Sequence, residues 1–357
     1  PADHMLKKMG DAVGVGHTFK PTRVATFFPA DGETGGKTYP DPYFNGEGPD
    51  RATCVGCGGC MTGCKYNAKN TLDKNYLYFA EKRGAQVFAE TKVADVRPIN
   101  NTVDGSDGYE VTTENSTSWF NKNRRVWKVK NVIFAASSLG TQEMLFRLKQ
   151  SGALPNISDD LGNRVRTNAE SILGVRFFGK DVDMSKGVAI GSSIYLDHDT
   201  HIEATRYENG YDAMGMMCTY MAGGKPGWTR LFHWLWVLLR HPVIFLKMSN
   251  PVGFARQTLI FLVMQTADAA ISMRLKRNWW WPFTKELSSE GQPLPVYIPH
   301  ANAFTKKVAK MFNGQPMTTI TEILFNVPFT AHCMGGCAIA STPEHGVIDG
   351  QNRVFNY

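Results

Sequence analysis

No run of twenty apolar residues passes uninterrupted through this sequence, no long unmixed block of lysine and arginine occurs, no segment repeats, and no G-x-G-x-x-G turn is present. Each absence removes something. A membrane-spanning helix needs about 20 clean apolar residues, and the most apolar segment, WTRLFHWLWVLLRHPVIFLKM, is broken by Arg230, Arg240, His241 and Pro242. It reads as a core helix bent at Pro242, with an interfacial helix as the alternative. The 39 basic and 32 acidic residues leave a net charge of +7. Its densest stretch, Lys122 to Lys130, alternates with Val126, Trp127 and Val129 as a solvated hairpin strand would. The charge therefore implies weak attraction to anionic surfaces and no nucleic-acid partner. A disulfide framework is also excluded, because the seven cysteines are odd in number and four of them crowd into one short stretch. That usage suits a reducing, cytoplasmic setting. The missing glycine turn leaves the usual first phosphate loop of a dinucleotide fold out of these residues.

With 357 residues, 43% of them hydrophobic, the chain can bury one large core or two ordinary ones. Residues 1–20 read as a helix and its exit, followed by a Gly/Pro/Asp-rich loop over 21–53. The segment NTLDKNYLYFAEKRG reads as a helix stopped by Gly84. Next, AQVFAETKVADVRP, YEVTT, SWF and RRVWKV read as the short strands of a meander. Residues 132–136, VIFAA, form a continuous apolar run of the kind found in buried parallel strands, and SSLGTQEMLFRLKQSG follows as a turn into a helix. Beyond about residue 165 the texture changes to longer alternating stretches. Near Arg274, cations precede the aromatic group Trp279 to Phe283, a combination that suits either a lipid headgroup boundary or a buried aromatic cluster.

The most specific local pattern is Cys54-Val-Gly-Cys57-Gly-Gly-Cys60-Met-Thr-Gly-Cys64, the C-x2-C-x2-C-x3-C spacing of bacterial ferredoxins. Lys65 stands where ferredoxin runs have proline. Two readings are open. An iron–sulfur cluster would take its fourth sulfur from Cys218, Cys333 or Cys337, whereas a structural loop would use Gly56, Gly58, Gly59 and Gly63 for their backbone freedom. The structural loop is preferred, and zinc is the lesser metal option because four-cysteine zinc sites usually come as two separated pairs.

Two further segments carry chemistry. The turn into the helix at Val132–Leu148 has small residues, Ala135, Ala136, Ser137 and Gly140, where a phosphate could approach helix amides. Near the other end, Phe329-Thr-Ala-His332-Cys-Met-Gly335-Gly336-Cys337 sets a histidine three residues before a glycine pair. Together with SSLGTQEMLFRLKQSGALPN and CKYNAKNTLDKNYL, this segment resembles the GMC (glucose–methanol–choline) flavoprotein oxidoreductases, nearest to their cholesterol oxidase-like branch, along essentially the whole chain and in the same order.

The resemblance implies a mixed α/β fold. Residues 1–165 would be part of an incomplete Rossmann-like FAD-binding domain. Residues 166–325 would form a substrate domain on a mainly antiparallel sheet with helices, and 326–357 would return to the FAD domain. It further implies that His332 faces the flavin N5 and acts on the substrate hydroxyl, and that the backbone of Val93 contacts adenine. Asn67, Ala136, Ser137, Gly140 and Gly336 would complete the cofactor site. Glu203, in THIEATRY, would shift a steroid double bond, with a plain ion pair to Arg206 as the alternative. The expected activity is FAD-dependent oxidation of a bulky hydrophobic alcohol, a 3-hydroxysteroid, with oxygen or a separate carrier as electron acceptor and peripheral contact with a membrane. A long-chain alcohol oxidase or dehydrogenase is the first alternative and an iron–sulfur electron-transfer subunit the second. By the same resemblance this chain is the central part of a longer polypeptide and does not retain FAD by itself.

Overall fold

The computed structural model describes residues 1–179, 181–223, 227–266, 270–278, 284–291, 294 and 296–357. They fall into two compact units. The first comprises Pro1–Ala85, Asn168–Ala267 and Pro295–Thr330, the second Gln86–Thr167, Asp268–Leu294 and Ala331–Tyr357. The division runs differently from the sequence-based grouping of 1–165. Helix Ala2–Val13 buries Leu6 and Met9 in the core of the first unit's sheet, which ties the start of the chain to its second half.

That sheet has seven strands in the order Lys20–Pro21, Ile190–Tyr195, Thr200–Thr205, Thr258–Gln265, Ser171–Arg176, Gln315–Thr319 and Cys218–Tyr220, with every neighbouring pair antiparallel. Thr258–Gln265, reading TLIFLVMQ, is apolar throughout because both of its faces are covered. Side chains alternate across a strand, so Leu259, Phe261 and Val263 join Leu6, Met9, Ala301 and Val308 in one core. Ile260 and Leu262 join Ile172, Cys218, Met248, Phe254 and Met317 in the other. Each of these large side chains, fully buried, contributes roughly 1.5–3 kcal/mol. The antiparallel sheet with helices expected for a substrate domain is present, and the mixed α/β class holds.

In the second unit, strands Thr91–Pro98, Tyr109–Asn115 and Arg125–Val129 make the expected meander. Helix Ser137–Ser151 ends at Gly152, whose φ of 77° suits a residue without a Cβ. A second small sheet pairs Lys285–Glu290 with Ala270–Arg277 and Ala270–Arg277 with Val165–Arg166. Leu145, Phe146, Leu148, Leu161, Leu275 and Val347 form the core.

Four expectations change. Residues 131–135 are not a strand, and Ile133 is 89% exposed, because among the described residues no neighbour supplies the ladder that a parallel strand requires. The SWF stretch is not a strand either, and Trp119 and Phe120 are exposed. The helix expected before Gly84 shortens to Tyr76–Lys82 and buries none of its side chains. The apolar segment taken for a core helix is two helices, Trp228–Arg240 and Pro242–Ser249, whose aromatic and aliphatic side chains are largely exposed. Pro242 cannot donate a backbone hydrogen bond, so it ends the first helix and opens the second. Among the described residues no helix is long and apolar enough to cross a membrane. The aromatic group Trp279 to Phe283 lies outside the described residues.

Buried under the first of these helices is an ion pair. Arg230 Nη1 donates to Glu322 Oε1 at 2.9 Å, with both side chains almost wholly buried. Glu322 also accepts from Thr318 Oγ1 at 2.5 Å and Ser171 Oγ at 3.2 Å, and the guanidinium lies 4.1 Å from the centre of the Tyr297 ring. Burial pushes the Glu322 carboxyl up, against the pull of these donors. Removing one partner of such a pair leaves the other charge buried and uncompensated. Arg230→Ala is therefore expected to lower unfolding free energy by roughly 3–5 kcal/mol in a urea titration. A loss below about 1 kcal/mol, the scale of a solvated pair, would contradict this account.

Candidate active site

Gly335 and Gly336 adopt φ of 87° and 82°, a region that residues with a Cβ rarely enter. The space around them is equally restrictive. A methyl group on Gly335 would lie 2.3 Å from the Arg164 carbonyl oxygen, and one on Gly336 would lie 2.1 Å from Gln142 Cδ. Gln142 is fully buried and acts as the clamp. Its Nε2 donates to the Ser138 carbonyl at 3.1 Å and the Ser138 hydroxyl at 2.9 Å, and it reaches the Gly335 carbonyl at 3.3 Å. The Ser138 hydroxyl donates to that same carbonyl at 3.1 Å, and Gly162 donates its N–H to the Gly336 carbonyl at 2.7 Å. Met334 exchanges two backbone hydrogen bonds with Arg166, both 2.9 Å. Thus the H-x-x-G-G segment is fastened to the first turn of helix Ser137–Ser151. His332 is exposed, two residues before Met334.

The same helix start borders a cleft of about 600 Å³ lined by Lys92, Val93, Ala136, Gly140, Met144 and Arg147 among others. Three residues named from the sequence, Val93, Ala136 and Gly140, therefore share one wall. Ser137, between the latter two, has φ of 58°, and no side chain caps the helix start. Free amides at a helix N-terminus, with Lys92 and Arg147 beside them, suit a phosphate-bearing ligand. Gly336 packs on Gln142, one turn further along the helix. Sequence reasoning missed Lys92, Arg147 and Gln142. Their only signal was spacing, since Gln142 stands one helical turn after Ser138 and Lys92 precedes the singled-out Val93.

Two named residues belong to the first unit. Asn67 is half-buried in a left-handed turn, φ 60°, where its Nδ2 donates to the Asp50 carbonyl at 2.8 Å, a role that stabilises the loop. Glu203 is half-buried on strand Thr200–Thr205 between Ser193 and Leu262, and so points to the opposite side of the sheet from Ile202 and Ala204. Arg206, its suggested partner, is ion-paired to Asp3 at 2.6 Å and donates to the Lys186 carbonyl at 2.7 Å. A buried carboxylate that sequence reasoning missed is Glu322, in a TITEIL stretch where the pattern reads as an ordinary helix start.

No family model matches the chain. Similar proteins do. A cholesterol oxidase of Acinetobacter baumannii is 85% identical over 357 residues, covering 100% of this chain and 64% of the relative. Cholesterol oxidases of two Mycobacterium tuberculosis strains, CDC 1551 / Oshkosh and H37Rv, are each 42% identical over 370 aligned residues, covering 100% of this chain and 62% of theirs. The similarity therefore takes in every segment on which the GMC resemblance rests, and it supports that resemblance. The chain spans a little under two thirds of the length of these curated relatives.

Gly336→Ala combines a strained φ with a clash against a buried amide, at a cost of roughly 1–3 kcal/mol. It is expected to lower the thermal midpoint, and adding Gln142→Ala to it should recover part of the loss by clearing space for the methyl. An unchanged midpoint in the single variant would remove the clamp.

Proposed function

We propose that the protein oxidises a bulky hydrophobic alcohol, a 3-hydroxysteroid, with FAD as cofactor and oxygen as final acceptor. The observation that carries the reading is the fastening of Gly335–Gly336 to the first turn of helix Ser137–Ser151, which brings the histidine segment to the helix start that borders the Val93 cleft. Val93, Ala136, Ser137, Gly140 and Gly336 would hold the cofactor, with Lys92 and Arg147 offering positive charge. Flavin supplies a two-electron acceptor for the carbinol hydride. A hydride leaves that carbon only as the hydroxyl proton is taken or strongly hydrogen-bonded, and the imidazole of His332 can do either near neutral pH. Glu203 is retained for a subsequent shift of the steroid double bond, a step that asks for a carboxylate able to carry a proton. The cytoplasm is the setting in which seven unbridged cysteines persist.

Turnover by the protein expressed from its whole gene tests this directly, with sterols compared against linear fatty alcohols. His332→Ala should reduce kcat by roughly 10²–10⁴-fold with KM little changed, and His332→Gln should be milder because an amide keeps one hydrogen bond. Parental rates in both variants, or a preference for linear alcohols, would overturn the reading.

A sterol substrate resides in membranes, and the two exposed helices suit that source. Trp228, Phe232, Trp236, Leu239, Val243 and Leu246 are all more than half exposed, beside the exposed cations Arg240 and Lys247. Such a surface lies in the headgroup boundary with its aromatics inserted. The double variant Trp236→Glu/Leu239→Glu should lose co-sedimentation with lipid vesicles while oxidising detergent-dispersed sterol at the parental rate. Undiminished sedimentation would remove the helices from the contact.

A further inference from the structure

The cysteine run takes no part in the reaction proposed above, yet its geometry is well defined. Cys54, Cys57, Cys60 and Cys64 line one small cleft in the first unit, with Val55, Tyr66 and Ala68 as its apolar walls. None of the four is in a disulfide. Three of the sulfurs accept backbone N–H groups: Gly56 to Cys54 at 3.3 Å, Gly59 to Cys57 at 3.4 Å and Ala68 to Cys64 at 3.3 Å. Amide donors aimed at sulfur stabilise thiolates and tune iron–sulfur centres. The loop is also held at both sides. Cys54 donates its N–H to the Phe27 carbonyl at 2.8 Å, and Gly187 donates to the Gly56 carbonyl at 2.8 Å. A Cβ on Gly58 would meet the Ser185 carbonyl oxygen at 2.3 Å.

We propose that Cys54, Cys57, Cys60 and Cys64 hold an iron–sulfur cluster, with all four ligands supplied by the run itself.

The other cysteine of the first unit does not compete for the fourth position. Cys218 lies in the core with Ile172, Met248 and Phe254, where burial pushes its thiol up to about 12.

A single zinc ion makes a stricter demand than a cluster does. A single ion with bonds of about 2.3 Å needs its four sulfurs within roughly 4 Å of one another. Among the described residues no group of three or more histidine, cysteine or acidic side chains is placed to hold one ion. The four cysteines nonetheless line one cleft, as ligands shared by a larger group would.

The test is anaerobic purification of the protein expressed from its whole gene, followed by iron, zinc and acid-labile sulfide analysis and by electron paramagnetic resonance of the dithionite-reduced sample. Iron and sulfide in about equal, near-stoichiometric amounts are expected. Both should be lost in Cys57→Ser and in Cys64→Ser, and kept in Cys333→Ser. Zinc in place of iron, or iron-free wild-type protein after incubation with ferrous iron and sulfide, would overturn the proposal, and an undiminished cluster in Cys64→Ser would overturn the ligand assignment. These readouts are independent of sterol turnover, so the cluster and the enzymatic reading stand or fall separately.

Discussion

A single buried ion pair governs how the first unit is put together. Arg230 reaches from the start of an otherwise exposed helix to Glu322, and Glu322 also gathers hydroxyls from Thr318 and Ser171. Two strands of the sheet and two helices therefore meet at one carboxylate. Charges removed from water are tolerated only with partners in good geometry, so the pair dictates where the helix begins. The same anchor explains how a helix with so little apolar burial is held in place. Arg230 is buried, while Trp228, Phe232, Trp236 and Leu239 are exposed. An apolar surface fixed at one end by a polar anchor is well suited to meeting a lipid boundary.

The second unit depends on a steric constraint. Two successive glycines with positive φ lie against Gln142 and Arg164, closer than any side chain would allow. That closeness lets the carbonyl of Gly335 meet both Ser138 and Gln142 at a helix start. The histidine segment and the Val93 cleft are thereby coupled through the side chains of Ser138 and Gln142, the latter fully buried. A site built this way keeps its geometry when the surface around it changes.

Much of the fold was legible in local pattern. The meander followed from short strands separated by polar turns, and the helix Ser137–Ser151 from SSLGTQEMLFRLKQSG, read as a turn into a helix. The apolar runs were less reliable guides. TLIFLVMQ and the WTRLFHWLWVLL segment are both strongly hydrophobic, yet the first lies at the centre of a sheet and the second faces outward. Composition cannot separate these cases, because burial depends on which surfaces the rest of the chain supplies. Residues 131–135 make the same point, being apolar enough for a strand but without a neighbour to pair with.

By itself the sequence carried the family resemblance, the candidate site residues and the thiol spacing, since each is written in residue identity and short intervals: H-x-x-G-G, SSLG and C-x2-C-x2-C-x3-C. Only the tertiary structure decided that Gln142 clamps the glycine pair, that Lys92 and Arg147 border the cleft with Val93, and that the partner buried beside Glu322 is Arg230. It also gathered four cysteines around one cleft and left Cys218 in a separate core. Local spacing constrains neighbours a few residues apart, whereas contacts across tens or hundreds of residues are set by which faces the two units bury.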